Sequence, residues 1–130
     1  MKVLICGSRH WTSREIIRKE LEKFSPDTIV IEGETRGADT IAREEAEKLG
    51  FEVLKFPADW KNEGLAAGPK RNSRMLNEGK PDLVIAFHED WEHSKGTRHM
   101  ITIAKRTGRS VIIVNDKGVL GEITLSDIGG

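Results

Sequence analysis

Short apolar runs alternate with stretches of helical periodicity from one end of the chain to the other. Val3–Cys6, Thr28–Ile31, Phe51–Phe56, Leu83–Phe87 and Val111–Val114 are rich in β-branched residues and too short for helices, which predicts five buried strands. After the first, Thr12 and Glu15 have capping-box spacing, and Ile16, Ile17, Leu21 and Phe24 form one apolar face before Pro26 stops the helix. Ala38, Ile41, Ala42, Ala46 and Leu49 predict a second helix ending at Gly50. A third begins near Pro69 and runs to about Gly79 with Met75 and Leu76 inward, and a fourth follows Gly96 and ends at Gly108. Strands separated by helices of this length imply right-handed crossovers. The expected fold is α/β, a doubly wound parallel sheet of about five strands ordered 3-2-1-4-5, with helices on both faces and ligands beyond the carboxyl ends of the strands. Residues 1–116 are expected to form the domain. Residues 117–130 form a tail with a short strand at Glu122–Leu125 and a fraying end at Gly129-Gly130.

Charge narrows the partners. The 130 residues hold 21 lysines and arginines against 21 aspartates and glutamates, so no net field draws in nucleic acid, and an anion must be met by a local cluster. The lone Cys6 lies in an apolar run, reads as core packing and has no intrachain partner, which fits a reducing compartment. Met1–Cys6 is too short for a secretory apolar region, and no stretch approaches the roughly 20 apolar residues of a membrane span. The expectation is a cytoplasmic protein with no membrane partner.

The candidate chemistry lies in glycine-bearing loops after the first, second and fourth strands. These are Gly7-Ser8-Arg9, then Gly33-Glu34-Thr35-Arg36-Gly37-Ala38-Asp39, then Ser94-Lys95-Gly96-Thr97. Glycine lets backbone N–H groups approach a ligand, and a helix N-terminus adds partial positive charge, so each loop suits phosphate oxygens. None is a Walker A or dinucleotide fingerprint. Lys70, Arg71 and Arg74 crowd the start of the third helix, where cations oppose the helix dipole and an acidic ligand would resolve the conflict. Arg9 and Arg36 add guanidinium forks that match phosphate. Trp60 either stacks on a base or plugs the sheet edge, and Trp11 and Trp91 either wall the same cleft or form a contact between copies. Asp39 binds either a ribose hydroxyl or the N–H groups of its own loop. His88, His93 and His99, with Glu89, Asp90 and Glu92, match no zinc spacing and read as a charged loop, so no metal is expected. No serine sits in a nucleophile elbow.

Taken together, Gly7-Ser8-Arg9 with Trp11, Gly33 with Arg36-Gly37-Ala38-Asp39, Phe56-Pro57-Ala58-Asp59-Trp60, Ala67-Gly68-Pro69 with Arg71-Asn72 and Met75, and Ser94 with Gly96-Thr97 resemble the YspA-type, cpYpsA-related branch of the SLOG superfamily. The resemblance runs from Val3 to Val114. It implies a Rossmann-like fold that binds nucleotides or nucleotide-derived signals, links to conflict between bacteria and phages, and self-association into a homo-oligomer. It adds Asn72 to the nucleotide-binding set and implies no cofactor. LOG phosphoribohydrolases of the same superfamily cleave the N-glycosidic bond of nucleoside 5′-monophosphates. Their motifs pair an arginine and a lysine ahead of a methionine and place a catalytic glutamate three residues after the threonine of a glycine-threonine pair. Here Asn72 replaces the lysine and Met100 the glutamate. Methionine neither activates water nor stabilises an oxocarbenium ion. Binding without turnover is therefore the primary expectation. Hydrolysis, with Arg71 positioning the substrate and Glu89 or Glu92 as the base, is the alternative.

Overall fold

The computed structural model describes residues 1–129. Its strands are β1 (Lys2–Gly7), β2 (Ile29–Glu32), β3 (Glu52–Lys55), β4 (Leu83–Phe87), β5 (Ser110–Asn115) and β6 (Gly118–Glu122), forming one sheet in the order β3-β2-β1-β4-β5-β6. The first five are parallel, in the expected order, and β6 runs antiparallel to β5. The helices are α1 (Arg14–Leu21), α2 (Ala38–Lys48), the one-turn α3 (Trp60–Glu63), α4 (Ala67–Gly79) and α5 (Lys95–Arg106). Strand β1 shows why its run carries no polar residue. Leu4 and Cys6 face a core shared with Met75 and Leu76 of α4 and Met100 and Ile101 of α5. Val3 and Ile5 face the opposite core, with Ile17 and Leu21 of α1 and Ile41 and Ala42 of α2. A strand covered on both faces needs apolar side chains at every position. Among the described residues no helix is long and apolar enough to cross a membrane.

Several boundaries differ from expectation for local reasons. Ser13, not Thr12, caps α1, its Oγ accepting from the Ile16 N–H at 3.4 Å. Helix α4 starts at Ala67 because a 3₁₀ turn over Gly64–Ala66 feeds it, leaving Pro69 within the first turn, where a missing N–H removes no intrahelical bond. Likewise α5 starts at Lys95 under the Ser94 cap, so Gly96 lies inside its first turn. The tail strand is Gly118–Glu122 rather than Glu122–Leu125. Asp116 and Lys117 turn the chain tightly enough to pair Gly118 with Asn115, and the segment beyond closes as a 3₁₀ turn over Leu125–Ile128 under a Thr124–Asp127 capping box. Ile123 and Ile128 are buried in the α4–α5 core, and of the end expected to fray Gly130 lies outside the described residues.

Polar contacts lock α1 to α2. Glu45 of α2 is buried and accepts from Arg14 at 2.8 Å, Arg18 at 3.1 Å and Lys48 at 3.2 Å. The Arg14 hydrogen bond leads in holding its pKa down from 4.5 to about 2. A carboxylate more acidic in the folded than in the unfolded chain stabilises the fold above its unfolded pKa, and that contribution disappears as pH falls through the folded value. Glu45→Gln should therefore flatten the fall in melting temperature as pH drops from about 4.5 to about 2. An unchanged slope in thermal unfolding across that range would show that the pair does not couple pH to folding.

Candidate functional site

A cleft of about 760 Å³ opens beyond the carboxyl ends of β1, β2 and β4. Cys6, Met75 and Met100, all buried, form its apolar floor. Burial drives the Cys6 thiol pKa far above its ordinary value, so the floor carries no charge. The loops reach this arrangement only through glycine. A Cβ on Gly7, at φ +153°, would lie 2.1 Å from the Phe87 carbonyl oxygen, and one on Gly37, at φ +75°, would lie 2.3 Å from that of Ser8.

Of the residues expected to bind a nucleotide, Gly7, Ser8, Arg9, Thr35, Asp39, Trp60, Arg71, Asn72, Ser94, Gly96 and Thr97 line this one cleft. Gly33, Gly37 and the exposed Arg36 do not. Some of the loop amides already have partners within the protein. The Ser8 N–H donates to the Phe87 carbonyl at 2.9 Å. Asp39 Oδ2 accepts from the Gly33 N–H at 3.1 Å and the Thr35 hydroxyl at 2.6 Å, and Glu32 Oε2 accepts from the Glu34 N–H at 2.7 Å. The Glu32 and Asp39 side chains thus occupy part of the nest after β2, and Asp39 organises its loop while facing the cleft. At the start of α5 the Ser94 Oγ takes only the Thr97 N–H, at 3.2 Å, leaving the N–H groups of Lys95 and Gly96 without a protein partner among the described residues.

Arg71 is 8% exposed and crosses beneath the β2 loop. Its Nη1 donates to the Gly33 carbonyl and its Nε to Asn72 Oδ1 at 3.0 Å, while Nη2 has no protein partner among the described residues. Burial pulls its pKa down and the nearby Asp39 pushes it back up. Asn72 continues the network, with its Nδ2 3.1 Å from His99 Nδ1 and 3.4 Å from the Gly96 carbonyl. Lys70 and Arg74 need no ligand, because both approach Glu63, at 3.8 and 3.5 Å.

On the opposite wall Glu89 accepts from the Ser8 hydroxyl at 3.1 Å. Glu92 lies outside the cleft, in a shallow hollow with Arg98 and Thr102. Trp60 is 53% exposed at the rim and leans on Gly68, which rules out the edge-plug reading. Trp11 and Trp91 are buried and wall nothing: Trp11 packs edge-on to Phe87 at 5.6 Å, and Arg98 lies 5.8 Å from the Trp91 ring centre. All 4 histidines of the chain line the cleft, yet among the described residues no three His, Cys, Asp or Glu side chains converge as metal ligands. Sequence reasoning missed His99 as a site residue. Its position three residues after Gly96, on one helical face, is the signal that marks it.

Beneath the β2 loop Glu32 is fully buried, its Oε1 lacks a hydrogen bond, and burial raises its pKa well above the usual carboxylate range. A carboxyl that binds its proton more tightly when folded stabilises the fold below its unfolded pKa and loses that contribution as pH rises toward the folded value. Glu32→Gln should therefore remove part of the decline in melting temperature between mildly acidic and mildly alkaline pH. A variant that declines as steeply as the parent would place the titration elsewhere.

Residues 1–62, just under half the chain, match the model of the YspA, cpYpsA-related SLOG family. No curated protein and no solved structure gives a significant match. The matched stretch contains the β1 and β2 loops, Asp39 and Trp60, whereas Arg71, Asn72 and the Ser94–Thr97 turn lie beyond it. Over residues 1–62 the chain is thus similar to the YspA, cpYpsA-related SLOG family, the family its motifs resemble.

Proposed function

We propose that the cleft binds a nucleotide or nucleotide-derived small molecule and leaves it intact, as a sensing or sequestering site. The observation that carries this reading is the buried Arg71, whose unpaired Nη2 shares a cleft with the free N–H groups of Lys95 and Gly96 and with the half-exposed Trp60. A guanidinium edge and a helix N-terminus suit a phosphate, and an exposed indole at the rim suits the face of a base. Arg9 adds positive charge at the mouth. Gly33, Arg36 and Gly37 then support the site by shaping the β2 loop. Hydrolysis is the second reading, favoured by one contact. Glu89 is the acidic candidate in the cleft, held by Ser8, whereas the Met100 position is an apolar floor. In that reading Glu89 activates the water that attacks the glycosidic carbon, and Glu92 has no part.

Thermal unfolding against a panel of nucleoside phosphates separates these readings. A ligand that binds only the folded chain stabilises it by about 2.7 kcal/mol at a hundredfold excess over Kd. Arg71→Ala should weaken binding by roughly 1.5 to 3 kcal/mol. Because Arg71 also supports the β2 loop, Trp60→Ala is the cleaner partner: its exposed ring contributes little to the fold, and its loss should weaken nucleotides by roughly 1 to 3 kcal/mol while leaving inorganic phosphate unaffected. Ligand recovered intact fits the sensing reading. Release of free base, abolished by Glu89→Gln, would establish the hydrolase instead, and a panel that never shifts the transition would remove nucleotide binding altogether.

A further inference from the structure

The Arg71–Asn72–His99 network allows one arrangement of protons. Arginine only donates, so Asn72 must turn its Oδ1 to Arg71 Nε, which leaves its NH₂ group facing His99 Nδ1. That nitrogen must then carry a lone pair, and the ring proton sits on Nε2. Protonating Nδ1 would set donor against donor, and flipping the amide would move the same conflict to Arg71.

We infer that Asn72 locks His99 as a neutral ring with its proton on Nε2, making His99 a specificity-determining donor that reads an uncharged acceptor on the sugar or base of the ligand. This rests on the nucleotide-binding reading. Phosphate already has its donors in Arg71 Nη2 and the α5 amides, so a neutral donor on the same wall adds selectivity for the rest of the molecule. The surroundings agree. His99 is half-buried between the cleft and the hollow lined by Glu92, His93, Lys95 and Arg98, with Arg71 beyond Asn72, and burial alone lowers its pKa from 6.5. Among the described residues no carboxylate accepts from its ring, in contrast to His93, which Asp90 meets at 2.8 Å.

Two-bond ¹H–¹⁵N correlation spectra of the full chain, with His99 assigned through His99→Gln, read the tautomer directly. The parent should show a neutral Nε2–H ring near neutral pH, Asn72→Ala should mix the tautomers, and Asn72→Asp, whose carboxylate accepts from both neighbours, should raise the His99 pKa. An Nδ1–H ring in the parent, or a tautomer indifferent to Asn72→Ala, overturns the lock. Binding of AMP and of inorganic phosphate then tests the donor. His99→Phe should weaken AMP by roughly 3- to 10-fold and leave phosphate unchanged, with His99→Gln restoring most of the loss. AMP binding undiminished in His99→Phe overturns the donor role alone. A parent that binds neither probe, nor any other nucleotide of the panel, removes the donor role together with the nucleotide reading.

Discussion

A guanidinium taken out of water at the end of a parallel sheet must be surrounded by acceptors, and Arg71 imposes that demand on the cleft of this molecule. Desolvating a cation is costly unless hydrogen bonds and opposite charge compensate. The Gly33 carbonyl, the Asn72 side chain and the field of Asp39 supply the compensation. Each comes with constraints of its own. A Cβ at Gly33 would sit 2.6 Å from Nη1, so a side chain there would displace the guanidinium. Asp39 must stay near Arg71, and its remaining capacity gathers the Gly33 and Thr35 donors into a closed loop. Asn72 must face one way, which orients His99. One buried charge thus ties the β2 loop to α4 and α5.

The cleft is consequently less generous with backbone donors than its glycine content suggests. The turns after β1 and β2 spend the N–H groups of Ser8, Gly33 and Glu34 on Phe87, Asp39 and Glu32, and Gly7 and Gly37 also permit close packing. At the turn before α5, Ser94 caps one amide and leaves two, and among the described residues a Cβ on Gly96 would meet nothing within 4 Å. These amides share the cleft with Arg71, while Trp60 and Leu65 provide exposed apolar surface at the rim.

The sheet was readable from the chain because burial on both faces writes each central strand as an uninterrupted apolar run, and the crossover helices between them force parallel order. Strand β6 was misplaced because its residues are largely exposed and its start depends on the Asp116-Lys117 turn rather than on an apolar pattern. The lining of the cleft was readable where a residue follows closely on a strand end, as with Ser8 and Asp39, or opens a helix, as with Gly96. It was not readable where pairing across the fold decides: the Glu63 partner of Lys70 and Arg74 and the Asn72 contact with His99 leave no mark on local spacing. Tryptophan was ambiguous for the same reason, since composition does not distinguish the buried Trp11 and Trp91 from the exposed Trp60.

The most direct test of the account is amide chemical-shift mapping of the full chain titrated with AMP. The account predicts saturable changes concentrated at Ser8–Arg9, Trp60, Arg71–Asn72 and Lys95–Thr97, with β6 and the outer faces of α1 and α2 unaffected. Changes centred on β6 or the α1–α2 face, or no saturable change across other nucleotides tried in its place, would contradict it.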